Sequence, residues 1–446
     1  MSSASSSESR TTVPRAVGQT TKGADAAVEI PGAPPIVDAP PAGAVTRFRT
    51  TFAAFGERDF RIFWLGQLVS VTGTWMQTVA QGWLILLLTG SPFVLGIAAA
   101  ARSIPVLLLV VPAGIAADRF DRRRIILATT IVATLASGLL GVLTILGSID
   151  VPTVLVLAAL LGVSNAFEMP ARQSYVADLA GPRHLANAIA LNSLLFNGAR
   201  VVGPAIAGIL VALVGPGWAF VVNAVSFVPV FIGLLLIRKV HVPRVGVGAR
   251  SAIPEAFRYL RSERRLAALF PLLGAQTIFG SGALILGPTL ARDLGQEAEG
   301  FGVLLAATGV GAVFGGLRLA ATSERTSRWR LLLGAGLALA AGLVAVPFAG
   351  SYAVVLVCFA VTGWGMVTFN ASSNTVIQMI VPDRLRGRIM SLYTLVLLGL
   401  MPAGGILLGA LADQLGSSAQ ALGIGGLVYG VIVVLGFSLS PALRRL

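Results

Sequence analysis

Charged residues are scarce in this sequence. They make up 12% of its 446 residues, whereas a soluble domain contains about 25%. Apolar residues make up 55%, and the mean hydropathy is +0.85. The apolar residues form runs of about 20 residues or more, which is long enough for a helix to cross a bilayer. An ordinary water-soluble fold is therefore excluded, and the sequence predicts an all-α integral membrane protein.

Cysteine, histidine and lysine are almost absent. The one cysteine, Cys358, cannot form an intramolecular disulfide, and His184 and His241 lie in different loops, so no metal site is predicted. Neither lysine, Lys22 or Lys239, follows a glycine as in an ATP-binding phosphate loop. We expect no cofactor and no direct use of ATP.

The net charge of +14 does not predict nucleic-acid binding. The basic residues lie between the apolar runs and lack the dense clustering that phosphate binding requires. Residues 1–50 are rich in Ser, Ala, Pro and Gly, with too little apolar surface to offset ordering entropy, so they predict a disordered cytoplasmic tail. No apolar segment typical of a signal peptide precedes Phe52.

Twelve apolar spans are predicted, because a helix must satisfy its backbone internally while it crosses about 30 Å of hydrocarbon. They are 60–88, 92–117, 125–147, 152–170, 188–213, 217–237, 266–291, 300–319, 331–349, 352–375, 389–412 and 419–439. The predicted organisation is a six-helix half at 51–237, a central cytoplasmic loop at 238–265 and a second six-helix half at 266–446.

The positions of the basic residues predict the orientation of these spans. Short cytoplasmic loops should hold the excess of Lys and Arg. On this map 30 of the 33 Lys and Arg residues lie on one side, while Arg292 lies outside and Arg102 and Arg200 lie within spans. Both termini are therefore predicted to be cytoplasmic, in a multi-pass protein of the inner (plasma) membrane.

The chain also repeats itself. Residues 181–189 (GPRHLANAI) precede the fifth span, and residues 381–389 (VPDRLRGRI) precede the eleventh, 200 residues later. Within those spans PAIAGIL (204–210) corresponds to PAGGIL (402–407). Chance recurrence of Pro-containing turns is the alternative to a true repeat. Two parallel six-helix halves would place a ligand site between them near the bilayer midplane.

Residues 114–124, which close the second span, read GIAADRFDRRR. Gly114 can permit close helix approach, and Asp118 can face the positive end of a neighbouring helix, while the arginines also anchor the loop. The stretch resembles the loop signature of the major facilitator superfamily, with Asp121 where a glycine is usual. The resemblance implies the major facilitator fold and a cytoplasmic latch whose partner is the eleventh span. The latch residues on this basis are Gly114, Asp118, Arg119 and Arg122.

A second signature lies in the fifth span, where residues 198–208 read GARVVGPAIAG. It resembles the antiporter motif of exporters in this superfamily, although small residues in membrane helices also serve simple packing. Residues 165–174 (NAFEMPARQS) and 185–192 (LANAIALN) are similar to the branch that contains the enterobactin exporter and other transmembrane secretion effectors. The antiporter-motif residues are Gly198, Gly203, Pro204 and Gly208.

Two arginines fall near the middle of predicted spans, Arg102 in the second and Arg200 in the fifth. An arginine at the bilayer centre costs at least about 2.5 to 3.5 kcal/mol, so each should face a cavity or a partner. One interpretation is that the pair attracts an anionic or strongly polar ligand, because a guanidinium suits carboxylates and phenolates. The alternative is a structural role, with bonds to backbone carbonyls or to amides such as Asn165 and Asn197.

No carboxylate lies at the centre of any span, so Glu168, one turn from Arg172, is the candidate for proton coupling. A simple ion pair between the two is the alternative. Trp75, Phe196, Phe279 and Trp364 can form apolar walls or merely pack. The candidate substrate-binding residues are Gln77, Gln81, Arg102, Asn165, Asn197, Arg200, Gln276, Asn370 and Asn374.

These observations predict a secondary active exporter, driven by protons, for a small amphipathic or anionic molecule such as a siderophore or drug. We expect it to work as a monomer by alternating access. Uptake by the same fold and a transport-inactive sensor are the alternatives. A membrane enzyme is not predicted, because no nucleophile, metal site or acid/base pair lies at membrane depth.

Overall fold

The computed structural model describes residues 52–237, 253–321 and 327–444. The predicted tail at 1–50 lies outside the described residues, as do residues 238–252 of the predicted central loop. All regular structure in the described part is helical, as expected for a chain that must satisfy its backbone within a bilayer. We refer to residues 52–237 as the first half and to residues 264–444 as the second half.

The first half opens with a 3₁₀ turn at Ala53–Gly56. Its helices are α1 (Arg58–Thr89), α2 (Pro92–Arg119), α3 (Arg122–Ile145), α4 (Val151–Val214), α5 (Pro216–Ser226) and α6 (Val228–Leu236). The turn between α1 and α2 is set by Gly90, whose positive φ of 66° ends α1, and by Ser91, whose side chain accepts a hydrogen bond from the backbone N–H of Val94.

Helix α4 contains the fourth and fifth predicted spans. Its 64 residues are interrupted at Gly181, where φ is 70° and ψ is 169°, so the chain bends there and restarts at Pro182. The fourth predicted span ends at Pro170, but the helix does not. The helix continues to Ala180, because a proline inside a membrane helix is tolerated when neighbouring groups satisfy the freed backbone.

The second half follows the short helix α7 (Ile253–Ser262), which lies in the predicted central loop. Its helices are α8 (Arg264–Gln276), α9 (Gly287–Asp293), α10 (Ala298–Ala321), α11 (Arg328–Ala345), α12 (Tyr352–Ile380), α13 (Asp383–Leu415), α14 (Ser418–Leu439) and α15 (Pro441–Arg444). A π-helical turn at Thr277–Ser281 and a 3₁₀ turn at Gly282–Leu286 join α8 to α9, and a 3₁₀ turn at Val346–Phe348 follows α11. The seventh predicted span is therefore irregular, and it contains prolines at 271 and 288 and several glycines.

Ten helices of the described residues are long and apolar enough to cross a membrane by length and composition. One of the ten is the bent helix α4. Helix α1 matches the first predicted span in position but is not among the ten. It carries three glutamines, Gln67, Gln77 and Gln81, all of which are buried within the protein rather than directed toward lipid.

The two halves pack through two helix pairs, α2 with α13 and the second segment of α4 with α10. At one end of these pairs the backbones nearly touch. A Cβ at Gly96 would lie 2.6 Å from the backbone nitrogen of Ile406, and a Cβ at Gly208 would lie 2.8 Å from the Cα of Glu299. We call this end, which contains residues 91–107, 201–208, 298–309 and 399–413, the closed end.

Toward the opposite end, glycines of three of these helices face open space. An added Cβ would meet nothing within 4 Å at Gly114 in α2, Gly316 in α10 and Gly387 in α13. Phe120, at the end of α2, is 64% exposed. We call this end the open end. It carries the predicted latch sequence, and close helix approach at Gly114 stays a prediction.

Candidate functional site

A cavity of about 270 Å³ lies inside the first half. Its walls come from α1, α2, α3, both segments of α4, and the α5–α6 region. It contains five of the predicted site residues and two of the predicted aromatic walls. They are Gln77, Arg102, Asn165, Glu168 and Arg172, with Trp75 and Phe196.

Arg102 is the unpaired charge of this cavity. Within the described part of the chain it has no hydrogen bond or ion pair. Helix α2 carries it against α4 at Gly162, where an added Cβ would lie only 2.2 Å from the Arg102 carbonyl oxygen. The absence of a side chain at Gly162 thus lets α2 pack directly on α4 and fixes the height of Arg102 in the wall.

The other two charges belong to one pair on α4. The Nε of Arg172 lies 2.9 Å from Oε1 of Glu168, and its guanidinium lies 4.3 Å from the ring centroid of Phe196. The cavity therefore contains two arginines and one glutamate, which leaves one positive charge in excess. An environment with an uncompensated guanidinium favours an anionic guest.

A buried polar network supports the floor of the cavity. Oε1 of Gln77 accepts hydrogen bonds from Oγ of Ser137, at 2.7 Å, and from the side-chain amide of Asn223. Asn223 in turn accepts from Oγ of Ser226 at 3.1 Å. The network joins α1, α3 and α5 and leaves Nε2 of Gln77 without a partner among the described residues.

Hydroxyl groups line much of the remaining wall. Those of Thr74, Thr129 and Ser164 donate to backbone carbonyls, and the 2.8 Å bond from Ser164 to the carbonyl of Thr129 joins α4 to α3. A hydroxyl whose proton is used in this way presents its lone pairs, so it accepts from a guest. The wall thus suits a guest that carries hydroxyl or amide donors beside its anionic group. These hydroxyls and Asn223 were missed from sequence, although Asn223 is the only amide in its span.

Three predicted site residues of the first half lie outside the cavity lining. Gln81 is buried, with Oε1 unpartnered among the described residues. Asn197 is exposed and donates to the carbonyl of Ser193 at 2.8 Å. Arg200 lies 5.6 Å from the ring centroid of Trp75. Neither Arg102 nor Arg200 is hydrogen-bonded to Asn165 or Asn197 in the described part of the chain.

The remaining residues lie in the second half. Gln276 is fully buried at the start of the π-helical turn, and neither of its amide atoms has a partner among the described residues. Tyr393 donates to the backbone carbonyl of Asn370 at 3.0 Å, and Asn374 accepts from Gln378. Phe279 and Trp364 also belong to this half and do not line the cavity. The structure thus brings five predicted residues of the first half together in one cavity, and the predicted residues of the second half do not line that cavity.

The predicted latch is disengaged at the open end. Asp118 is exposed and has no hydrogen bond or ion pair with the described residues. Arg119 is exposed as well. Arg122 instead bonds within the first half, to Oδ2 of Asp178 at 2.6 Å and to the carbonyl of Ala117 at 3.2 Å.

The predicted antiporter motif lies between helices at the closed end. A Cβ at Gly203 would lie 2.6 Å from Cβ of Trp75, which shows direct packing of α4 on α1. The carbonyl of Pro204 and the backbone of Gly208 pack against Gly302 of α10, at 2.5 and 3.0 Å from its ideal Cβ. Gly198 is the exception, since it faces open space. The motif therefore contributes three contact residues, two of which join the halves.

Comparisons with known proteins agree with this architecture. Residues 49–443 match the family described as transmembrane secretion effector. The chain is 28% identical over 396 residues to the multidrug efflux pump Tap of Mycolicibacterium fortuitum, covering 85% of this chain and 95% of that protein. It is 26% identical over 365 residues to the staphyloferrin A transporter of Staphylococcus aureus, covering 80% and 90%. It is 27% identical over 384 residues to the enterobactin exporter EntS of Shigella flexneri, covering 84% and 91%.

Solved structures show the same fold. A bacterial homologue of the human lysosomal transporter Spinster superposes with a TM-score of 0.68 at 16% identity, covering 87% of this chain and 96% of that chain. A bacterial homologue of the iron transporter ferroportin superposes with a TM-score of 0.64 at 18% identity, covering 85% and 99%.

Proposed function

We propose, from the premise that this chain belongs to the transmembrane secretion effector family of the major facilitator superfamily, that it exports a small anionic or amphipathic molecule by secondary active transport. Membership of this family makes it a membrane transporter and not an enzyme. The relatives named as exporters and as an efflux pump favour export over uptake, and siderophores and drugs are the cargo classes that their names suggest.

The observation that carries the proposal is Arg102, an unpaired guanidinium in a polar cavity of the first half. Keeping such a charge at membrane depth costs several kcal/mol unless a cavity solvates it or a ligand pairs with it. A carboxylate or phenolate of the cargo would form two charge-assisted hydrogen bonds with it. The surrounding hydroxyls would accept from cargo donors, and Trp75 and Phe196 would cover apolar parts.

Twelve membrane spans form part of the proposal. Helix α4 is one of ten candidate spans, and its two segments on either side of Gly181 would cross separately. Helix α1, with 32 residues, would be a further span whose glutamines face the protein interior. This count agrees with the distribution of basic residues. On that basis both termini and the open end would lie in the cytoplasm, and the protein would lie in the inner membrane.

Alternating access would use the two halves at 51–237 and 266–446, joined by the central loop at 238–265. The 200-residue repeat relates α2 to α10 and the second segment of α4 to α13. It therefore interchanges the pair α2–α13 with the pair α4–α10, as expected for two parallel repeats that rock around a central site. With the open end in the cytoplasm, this conformation faces inward and can load cargo. Gln81, Arg200, Gln276, Asn370 and Asn374 would join the cargo when the halves close over it.

Proton coupling would act through Glu168 and Arg172. Their ion pair lies in the wall of the same cavity as Arg102. Export driven by protons requires that proton and cargo bind in alternation. The ionised Glu168 would accept from hydroxyl or amide donors of the cargo, and its protonation would remove this acceptor, so cargo and proton would compete. The proposed transporter works as a monomer.

The test is efflux from proteoliposomes loaded with a set of siderophores and lipophilic drugs, with and without a pH gradient. We expect an anionic siderophore to be transported, and Arg102→Gln to raise the substrate concentration for half-maximal flux roughly tenfold or more, because one charge-assisted pair is lost. Arg261→Gln, which removes an exposed arginine outside the cavity, is the matched control. Normal efflux by Arg102→Gln would contradict the proposed site.

Coupling is tested separately. We expect a pH gradient to accelerate wild-type flux and to have little effect on Glu168→Gln, which cannot exchange a proton. If wild-type flux is indifferent to the gradient, proton coupling fails while the cargo site stands.

A further inference from the structure

Helices α11 and α14 form a crevice on the outer surface of the second half, away from the cavity described above. The two helices pack closely along their middle, where a Cβ at Gly336 would lie 3.1 Å from Val433 and one at Gly426 would lie 2.7 Å from Leu343. Toward the start of α11 and the end of α14 a space of about 480 Å³ lies between them. Its lining residues are Trp329, Leu333, Leu337, Val434, Phe437, Ser438 and Arg444.

The walls of the crevice suit a hydrocarbon chain. Trp329, Leu333 and Leu337 follow one another at intervals of four residues, so they form one stripe along α11 that rises about 12 Å. On the other side, Val434 is 47% exposed. Such a stripe on a membrane helix faces lipid, and its length matches part of one acyl chain rather than a whole protein partner.

The mouth of the crevice is basic. The Arg330 guanidinium lies 5.5 Å from the ring centroid of Trp329, and Arg444 donates to the carbonyls of Phe437 and Ser438 at 2.7 and 3.1 Å. Arg444 uses two of its five N–H groups in these bonds and keeps the rest for a ligand. Neither arginine is paired with a carboxylate of the described residues.

We propose that this crevice binds one anionic phospholipid of the bilayer. Its phosphate lies between Arg330 and Arg444, and one acyl chain lies along Leu333 and Leu337. Basic pockets between membrane helices select anionic headgroups, because each arginine near the surface attracts the negative charge and a guanidinium matches the phosphate oxygens. A zwitterionic lipid carries its own ammonium, which offsets this attraction. The site differs from the cargo site in position and holds its lipid without transporting it.

Binding is measured on the full chain in detergent by native mass spectrometry, with phosphatidylglycerol and phosphatidylcholine of identical acyl chains. We expect phosphatidylglycerol to bind several-fold more tightly. Each arginine removed should weaken that preference about fivefold, so the Arg330→Gln, Arg444→Gln double variant should lose it. A double variant of two exposed arginines elsewhere, Arg261→Gln with Arg264→Gln, should retain it.

The position of the lipid is tested by quenching of tryptophan fluorescence with brominated phosphatidylglycerol. We expect the lipid to quench a component of the tryptophan fluorescence, and Trp329→Phe should remove that component. Leu333→Trp should fill the crevice and prevent the lipid from binding. Equal affinity for the two headgroups, an unchanged preference in the arginine double variant, or quenching that survives Trp329→Phe would each overturn the proposal. Efflux activity of the variants shows that they are folded.

Discussion

At the closed end, two charged residues of the second half form hydrogen bonds to the turn between α1 and α2 of the first half. Oδ2 of Asp413 accepts from Oγ of Ser91 at 2.7 Å and from the backbone N–H of Phe93 at 3.2 Å, at the positive end of α2. Arg292 donates to the carbonyl of Gly90 at 3.2 Å, at the negative end of α1. We therefore expect Asp413→Asn to weaken closure of this end.

The size of the effect follows from the exposure of the site. A hydrogen bond to a charged group contributes about 1.5 to 3 kcal/mol when well shielded, and a charge at a helix terminus about 0.3 to 1 kcal/mol. Asp413 is exposed, so solvent reduces these contributions. Because asparagine keeps an acceptor and loses only the charge, we expect a shift of about 1 kcal/mol, or roughly fivefold in the ratio of conformations.

The assay is double electron–electron resonance between spin labels at Ser148 and Gln420, exposed positions in the two halves, with buried Cys358 replaced by serine. We expect Asp413→Asn to enlarge the long-distance population about fivefold. The matched control is Asp150→Asn, because Asp150 also accepts from a helix N-terminus, at Thr153, but within one half. An unchanged distance distribution in Asp413→Asn, or an equal shift in the control, would refute the reasoning.

Three further results are expected. Gly208→Val should force α4 and α10 apart, because its Cβ would lie 2.8 Å from the Cα of Glu299, and efflux should fall severely while insertion measured by membrane fractionation persists. Asp118→Asn should lower efflux, since its latch acts when the open end closes, yet leave the spin-label distances of the present conformation unchanged. The bonds from Arg384 and Arg388 lower the pKa of Glu255 below its usual 4.5, so their contribution is present above about pH 4.5 and is lost as the pH falls through the lowered pKa. Hydrogen exchange of residues 253–262 should accelerate at that acidic pH, and at neutral pH in Glu255→Gln.

Much of the fold was predictable because hydropathy and basic loops report directly on the bilayer. The helices continue beyond some predicted span ends. The fourth predicted span ends at Pro170, but Arg172 and Glu168 pair across it, and the first segment of α4 continues to the positive φ of Gly181. The π-helical turn at Thr277–Ser281 has no signature in hydropathy, since it changes the hydrogen-bond register without changing composition.

Residues of the candidate site were predictable from sequence where their side chains cost much free energy to place in lipid. Arg102 and Glu168 are polar enough for their burial to require a cavity, and both line it. Hydroxyls such as Thr74 and Ser164 can satisfy themselves on their own or a neighbouring backbone, so sequence does not distinguish a lining threonine from a packed one.

Some predicted residues make contacts in this structure and others do not, because one end of the two halves is closed and the other is open. A transporter sequence encodes the contacts of every conformation, whereas one structure shows the contacts of one conformation. Asp413 and Gly208 make their contacts at the closed end, whereas Asp118, at the open end, has no hydrogen bond or ion pair with the described residues. Gln276 is fully buried, and neither of its amide atoms has a partner among the described residues. A buried amide that stays unsatisfied costs about 1 to 3 kcal/mol. We expect a conformation that brings cargo or water to Gln276 to remove this cost, so Gln276→Leu should stabilise the present conformation and slow transport, with the spin-label distances and the efflux rate as the two readouts.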